Sequence, residues 1–179
     1  MTEVLSKHIR RAKRGKAKSQ EYIYTHFYRY AMSVSMRYSA KLEEAEEIVN
    51  NAFIKVFSKL DSFEESRDFK PWLRRIVINS SIDYQRKNTI FLEELTEEKQ
   101  AEQVFDNTIL ERLSAEEILK AVMKLTPAYR TVFTLYAIEE FTHKEIADEL
   151  KISIGTSKSN LAKARVKLQE ELERMNQLF

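Results

Sequence analysis

Gly15, Gly155, Pro71 and Pro127 are the only glycines and prolines in a chain of 179 residues. A β-sheet needs a chain reversal roughly every ten residues, and most reversals are built on Gly, Pro, Asn or Asp, which reach the backbone conformations of a tight turn at little cost. A chain this poor in glycine and proline has few places to reverse. It is expected to be all-α. The apolar spacing agrees: Ala45, Ile48, Val49, Ala52, Phe53, Val56, Phe57 and Leu60 recur at three- and four-residue steps, which is one face of a long amphipathic helix over 42–60.

The same periodicity places partner helices. Ile23, Phe27, Tyr30, Ala31 and Val34 share a side of a tyrosine-rich segment, and Pro71 can occupy the first turn of a further helix, where its missing N–H is no loss. With a short basic helix before them, these form a first domain over 1–87. Residues 88–113 have scattered apolar positions and many acids, and are read as an acidic linker. A second domain over 114–179 opens on a capping box at Ser114 and Glu117. Its next helix starts at Thr126 and Pro127, and a second capping box follows in "THKE", Thr142 to Glu145. Then come a short helix, the tight connection "KIS" and a long helix capped by Ser153, which together outline a helix-turn-helix. The expected architecture is two small helical domains.

The formal charge of +2 hides a segregation. Residues 1–20 carry Lys7, Arg10, Arg11, Lys13, Arg14, Lys16 and Lys18 against Glu3 alone, whereas 88–117 hold nine acids against Lys99 and Arg112, a net of −7. The stretch 150–169 has five bases and no acid. Cysteine is absent, so disulfides and thiolate metal sites are excluded. No apolar run approaches the ~20 residues a membrane span requires, and a cytoplasmic protein without membrane insertion is expected. His8, His26 and His143 are scattered, "HKEIADE" is not a zinc-binding HExxH, and neither a phosphate loop nor a nucleophile elbow occurs. No catalytic residue, metal or cofactor is expected.

On the last helix, Leu161, Ala164, Leu168 and Leu172 share a core face toward Ile146, Ala147 and Leu150. Thr156, Ser159, Asn160, Lys163 and Lys167 lie opposite, with Lys158 and Arg165 on a flank. A carboxylate-free face of cations and small polar groups suits a DNA major groove, because phosphates repel acids and Ser, Thr or Asn can reach base edges. A solvated helix face with a chance run of charge is the plainer reading. The residues in order, Leu125, Pro127, Glu145-Ile146-Ala147, Ile152-Ser153, Gly155-Thr156, Lys158-Ser159 and Ala164-Arg165 with Leu168, resemble region 4 of the sigma-70 family, and more narrowly its extracytoplasmic-function (ECF) branch. Three positions depart from that pattern: Lys151 stands for the turn glycine, Ser157 for a valine and Asn160 for an arginine.

The resemblance extends to "EEAEEIVNNAFIKVFSKLDSFEESRDFKPWLRRIVINSSIDYQRKN", which is similar to region 2. It implies an initiation factor that binds core RNA polymerase, reads the minus-35 duplex through region 4 and opens the minus-10 element through region 2. The minus-35 set is Thr156, Lys158, Ser159, Asn160, Lys163, Arg165 and Lys167. By the same resemblance Glu47, Asn50, Asn51 and Ile54 dock on the clamp helices of the largest polymerase subunit, and the acidic linker threads toward the RNA exit path. The loop "DSFEESRDFK" and the Pro71 helix supply the minus-10 set: Phe63, Arg67, Phe69, Lys70, Arg75, Asn79 and Arg86. Aromatic rings flanked by cations suit a single strand. Phe63 and Phe69 either meet bases or anchor an ordinary loop, Trp72 reads as core, Ile82 falls on the side of Arg75 and Arg86, and Ile76, Ser80 and Tyr84 turn inward. Many family members are inhibited by an anti-sigma protein, for which no residue here is diagnostic. The alternative is a stand-alone helix-turn-helix regulator on duplex operators, which would have no use for the acidic docking face.

Overall fold

The computed structural model describes residues 2–87 and 115–176, and every regular element among them is helical. The order is α1 (Glu3–Lys13), α2 (Ala17–Ser35), α3 (Leu42–Ser58), a 3-10 turn (Leu60–Ser62), α4 (Phe69–Lys87), α5 (Ala115–Met123), α6 (Pro127–Ala137), α7 (His143–Leu150) and α8 (Ile154–Asn176). The chain divides into two compact units, Met1–Tyr84 and Gln85–Phe179. The acidic linker over 88–113 and the capping box at Ser114 lie outside the described residues.

In the first unit α3 buries Ala45, Ile48, Val49, Ala52, Phe53 and Val56, as its spacing predicts, while Phe57 stays half-buried. Against it α2 places Ile23, Phe27, Ala31 and Val34, and the buried Ser35 hydroxyl donates to the Ala45 carbonyl at 3.0 Å. A 2.7 Å ion pair between Lys55 and Asp83 ties α3 to α4. Helix α4 begins two residues before Pro71, which therefore sits inside the first turn, where backbone N–H groups have no intrahelical partner anyway. Ile82 is 1 % exposed and belongs to the core rather than to the side of Arg75 and Arg86; burying an Ile is worth about 2 kcal/mol, so a helix yields that position to any apolar cover.

In the second unit α6 starts at Pro127, but the Thr126 hydroxyl makes no capping bond, so the fixed φ of Pro127 is what favours the start. Arg130 on α6 is buried at 2 % exposure. Its guanidinium donates to the carbonyls of Val122 at 3.2 Å, Met123 at 2.7 Å and Leu125 at 2.6 Å. One side chain thus satisfies the carbonyls at the end of α5 and just beyond it, where a cation also meets the negative end of the helix dipole. The Thr142–Glu145 capping box forms as read. Its backbone and hydroxyl donors hold the Glu145 carboxyl below its ordinary value.

Helix α7 ends on Lys151, whose φ of 58° and ψ of 44° are left-handed, and the Ile152 N–H returns to the Ala147 carbonyl at 3.1 Å. The reversal has the geometry that glycine usually supplies, made here by an exposed lysine. Lys151→Gly is therefore expected to stabilise the second unit by about 1 kcal/mol, read as a higher denaturant midpoint. A lower midpoint would contradict the geometry. Helix α8 then starts under Ser153, whose Oγ accepts from the Thr156 N–H at 2.9 Å. It buries Ser157, Leu161, Ala164, Leu168 and Leu172, alongside buried Ile146, Ala147 and Leu150 of α7.

Candidate nucleic-acid interface

On the outer face of α3, Glu47, Asn50 and Asn51 are exposed and Ile54 is 68 % exposed. Single exposed apolar residues are ordinary on a protein surface. This one is distinctive in standing one turn beyond a run of acids and amides. Helix α2 braces the same face with two tyrosines one turn apart. The Tyr24 hydroxyl donates to Asn50 Oδ1 at 3.0 Å while its ring packs on Phe53 at 4.7 Å. Burial, followed by the neighbouring Glu46 carboxylate, pushes the Tyr28 hydroxyl up from its ordinary value. Neither tyrosine is among the residues singled out by the sequence, since register between two helices cannot be read from one.

The minus-10 set separates into two groups. Arg67, Lys70, Arg75, Asn79 and Arg86 are exposed. Arg67 Nε donates to Glu64 at 2.8 Å, and the Lys70 ammonium lies 4.5 Å from the centre of the Tyr30 ring. Phe63 and Phe69 are different: each is 2 % exposed. Their rings meet at 5.3 Å edge to face, and Phe69 also packs on Phe27 at 4.9 Å. They are core anchors of the loop and offer no face to a base. The correction follows from chemistry, because an aromatic cluster gains both burial and ring-to-ring attraction by closing on itself. Trp72, read as core, is only half-buried against Phe63 at 5.1 Å and Phe69 at 5.4 Å. It is the ring of this cluster that retains an accessible surface.

The α8 set also loses a member. Lys158 and Lys167 are exposed, and Thr156, Ser159, Lys163 and Arg165 are partly exposed. Asn160 is only 3 % exposed, and its Nδ2 has no hydrogen-bond partner. Three residues before it stands buried Ser157 and four after it buried Ala164, so Asn160 lies at the edge of the core face rather than opposite it. It is not placed to touch DNA. Lys167 pairs with Glu170, the first residue after the acid-free stretch, at 2.9 Å.

His143, one of the three scattered histidines, is the centre of a small cluster. Its ring stacks on Tyr136 at 4.7 Å and its Nδ1 lies 3.0 Å from the Ser157 hydroxyl, which satisfies that buried serine. Arg165 reaches the other partner, 5.7 Å from the Tyr136 ring centre. Burial, then Lys158 and Arg165, lower the His143 pKa and so favour the neutral ring that joins α7 to α8.

The comparisons with known proteins place both units in one family. The model of "Sigma-70 region 2" matches residues 23–90 and that of "Sigma-70, region 4" matches residues 115–168. The ECF RNA polymerase sigma factor SigM of Bacillus subtilis is 30% identical over 129 residues, covering 69% of this chain and 77% of its own length. The chain belongs to the ECF branch of the sigma-70 family. SigW of Bacillus subtilis, another ECF sigma factor, is 27% identical over 184 residues, covering 96% of this chain and 98% of its own. The fold also matches the sigma factor RpoE of Bartonella quintana, solved in complex with the anti-sigma factor NepR, with a TM-score of 0.51 at 24% identity over 88% of this chain and 98% of that one. This sigma factor directs RNA polymerase to specific promoters, binding both the polymerase and promoter DNA. The stand-alone regulator gives way, since it leaves region 2 without a role. Among the described residues no helix is long and apolar enough to cross a membrane.

Proposed function

We propose a division of labour between the two units in which every step is binding and none is chemistry. The region 2 unit docks on the clamp helices of the polymerase through Glu47, Asn50, Asn51 and Ile54. Beside that contact, Arg67, Lys70, Arg75, Asn79 and Arg86 hold the phosphates of the melted minus-10 strand, with Trp72 as the ring on which a base can rest. Unstacking a base costs a few kcal/mol, which contacts to the released strand can match without a nucleotide fuel. The region 4 unit reads the minus-35 duplex through Thr156, Lys158, Ser159, Lys163, Arg165 and Lys167. The acidic segment 88–113 threads the polymerase between them, and the protein works in the cytoplasm, where its polymerase is. An anti-sigma protein that covers these faces, as NepR partners the Bartonella relative, is part of the same reading.

The observation that supports this most directly is Ile54, an apolar side chain 68 % exposed beside exposed amides and acids. Purified core polymerase, with and without the chain, tests it by run-off transcription and by affinity. Ile54→Glu is expected to weaken core binding at least 30-fold, the loss typical of a central interface residue. Tyr24→Phe, which keeps the ring on Phe53 and removes only the hydroxyl behind Asn50, is expected to weaken it by about 3- to 10-fold with stability unchanged. Lys163→Glu is expected to reduce minus-35 duplex binding and flatten its salt dependence while core affinity stays intact. Wild-type core binding unaffected by Ile54→Glu would reject the docking face. Equal loss of both functions in Lys163→Glu would reject the assignment of α8.

A further inference from the structure

We propose that Tyr136 is a positioning residue for minus-35 recognition: its ring steers the Arg165 guanidinium toward the duplex, and His143 braces that ring; this rests on the reading of α8 given above. Three helices meet in the cluster. Tyr136 lies in the last turn of α6, His143 opens α7 and Arg165 lies midway along α8, each of them partly exposed. The Arg165 guanidinium carbon stands 5.7 Å from the Tyr136 ring centre, within reach of a cation–π attraction. The His143 ring stacks on the same tyrosine at 4.7 Å with 25° between the planes. Its Nδ1 lies 3.0 Å from the hydroxyl of fully buried Ser157, so the brace is anchored in the core that carries α8.

A guanidinium stacks through its flat face and donates through its rim, so an arginine laid on a ring can still meet a phosphate edge-on. A loose arginine gives up the rotamer freedom of a long side chain when it binds, and one already laid on a ring gives up less. Lys158 and Arg165, seven residues apart, share one flank of α8. The lysine is a point charge that needs little aiming, whereas the planar fork of the arginine has to be presented at an angle. Burial, then Lys158 and Arg165, favour the uncharged His143 ring, so the brace does not compete with Arg165 for the electron-rich face of Tyr136. The region 4 pattern has a valine where this chain has Ser157, and a valine offers His143 no hydroxyl. The brace therefore belongs to this chain and not to the pattern.

The test uses the full chain and a fluorescein-labelled duplex carrying the minus-35 sequence of a promoter that the factor activates in run-off transcription. Affinity is measured against salt, well below the thermal midpoint of every variant. Tyr136→Leu removes the π-face and is expected to weaken duplex binding by about 2- to 5-fold, the worth of a cation–π contact at a partly exposed site. Its plot of log K against log salt should keep the wild-type slope, because Arg165 still reaches its phosphate, only from a wider set of conformers. Arg165→Gln deletes the contact itself and should flatten the slope by ~0.9. Tyr136→Phe keeps the ring and should bind as the wild type does. The double variant decides: Y136L added to R165Q should cost nothing further. Equal losses from Tyr136→Leu in both backgrounds overturn the proposal, because the ring then serves the fold and not Arg165. So does a loss in Tyr136→Phe as large as that in Tyr136→Leu, which would give the work to the hydroxyl. If Arg165→Gln flattens the slope and Tyr136→Leu binds at full strength, only the positioning role fails. If Arg165→Gln leaves affinity and slope unchanged, the assignment of Arg165 to the duplex fails and this inference with it.

Discussion

Phe69→Ala is expected to lower the stability of the region 2 unit by roughly 3–5 kcal/mol, the usual cost of deleting a buried aromatic ring. The ring is 2 % exposed and packs against Phe27, Phe63 and Trp72 at centroid distances of 4.9, 5.3 and 5.4 Å, so its removal opens a cavity among three aromatic partners at once. For a unit of this size each kcal/mol moves the thermal midpoint by about 4–8 °C, and a fall of at least 12 °C should be visible by circular dichroism. Phe69→Leu, which refills most of the volume, should cost under about 1.5 kcal/mol. A Phe69→Ala protein that melts normally and fails only in promoter opening would show that the ring works on a base instead.

Arg130→Met is expected to cost the region 4 unit roughly 3 kcal/mol. Methionine keeps much of the aliphatic stem, so what is lost is the set of donors to the Val122, Met123 and Leu125 carbonyls. Each buried acceptor left without a donor costs about 1–3 kcal/mol, less where water can enter. Arg130→Lys should recover only part of this, because an ammonium on a flexible stem cannot reproduce the planar fork of a guanidinium. Denaturant unfolding measures both. A midpoint unchanged in Arg130→Met would mean that water replaces the guanidinium at no cost. Because the loss falls on the helix that positions the rest of the unit, duplex binding should fall with stability while core binding through region 2 persists.

Helices, caps and the helix-turn-helix were legible because they depend on local chemistry. Periodicity places the α3 core, Pro127 and the Thr142–Glu145 pair mark real starts, and the acid-free stretch marks α8. Errors arose where two elements meet. Whether Phe63 and Phe69 face water or close on each other, with Phe69 also on Phe27, depends on how a loop packs on α2 and α4, and nothing in "DSFEESRDFK" encodes that closure. Asn160 sits at the rim of a helical face, where a small rotation decides between water and core. Arg130 carries no local signal of burial in the sequence, because the carbonyls it serves lie at the end of another helix. Tyr24 and His143 are of the same kind, side chains whose partners lie on another helix.

The hydroxyl of Tyr24 takes one of the two lone pairs of the Asn50 amide oxygen and so fixes which way that amide is turned. In the proposed docking, Asn50 therefore offers a partner both N–H donors and one lone pair of its oxygen, held in a fixed orientation by Tyr24. Wherever several initiation factors draw on one pool of polymerase, their shares follow their relative affinities. On the docking proposed for α3, a single phenol oxygen behind Asn50 would then tune how often this factor wins.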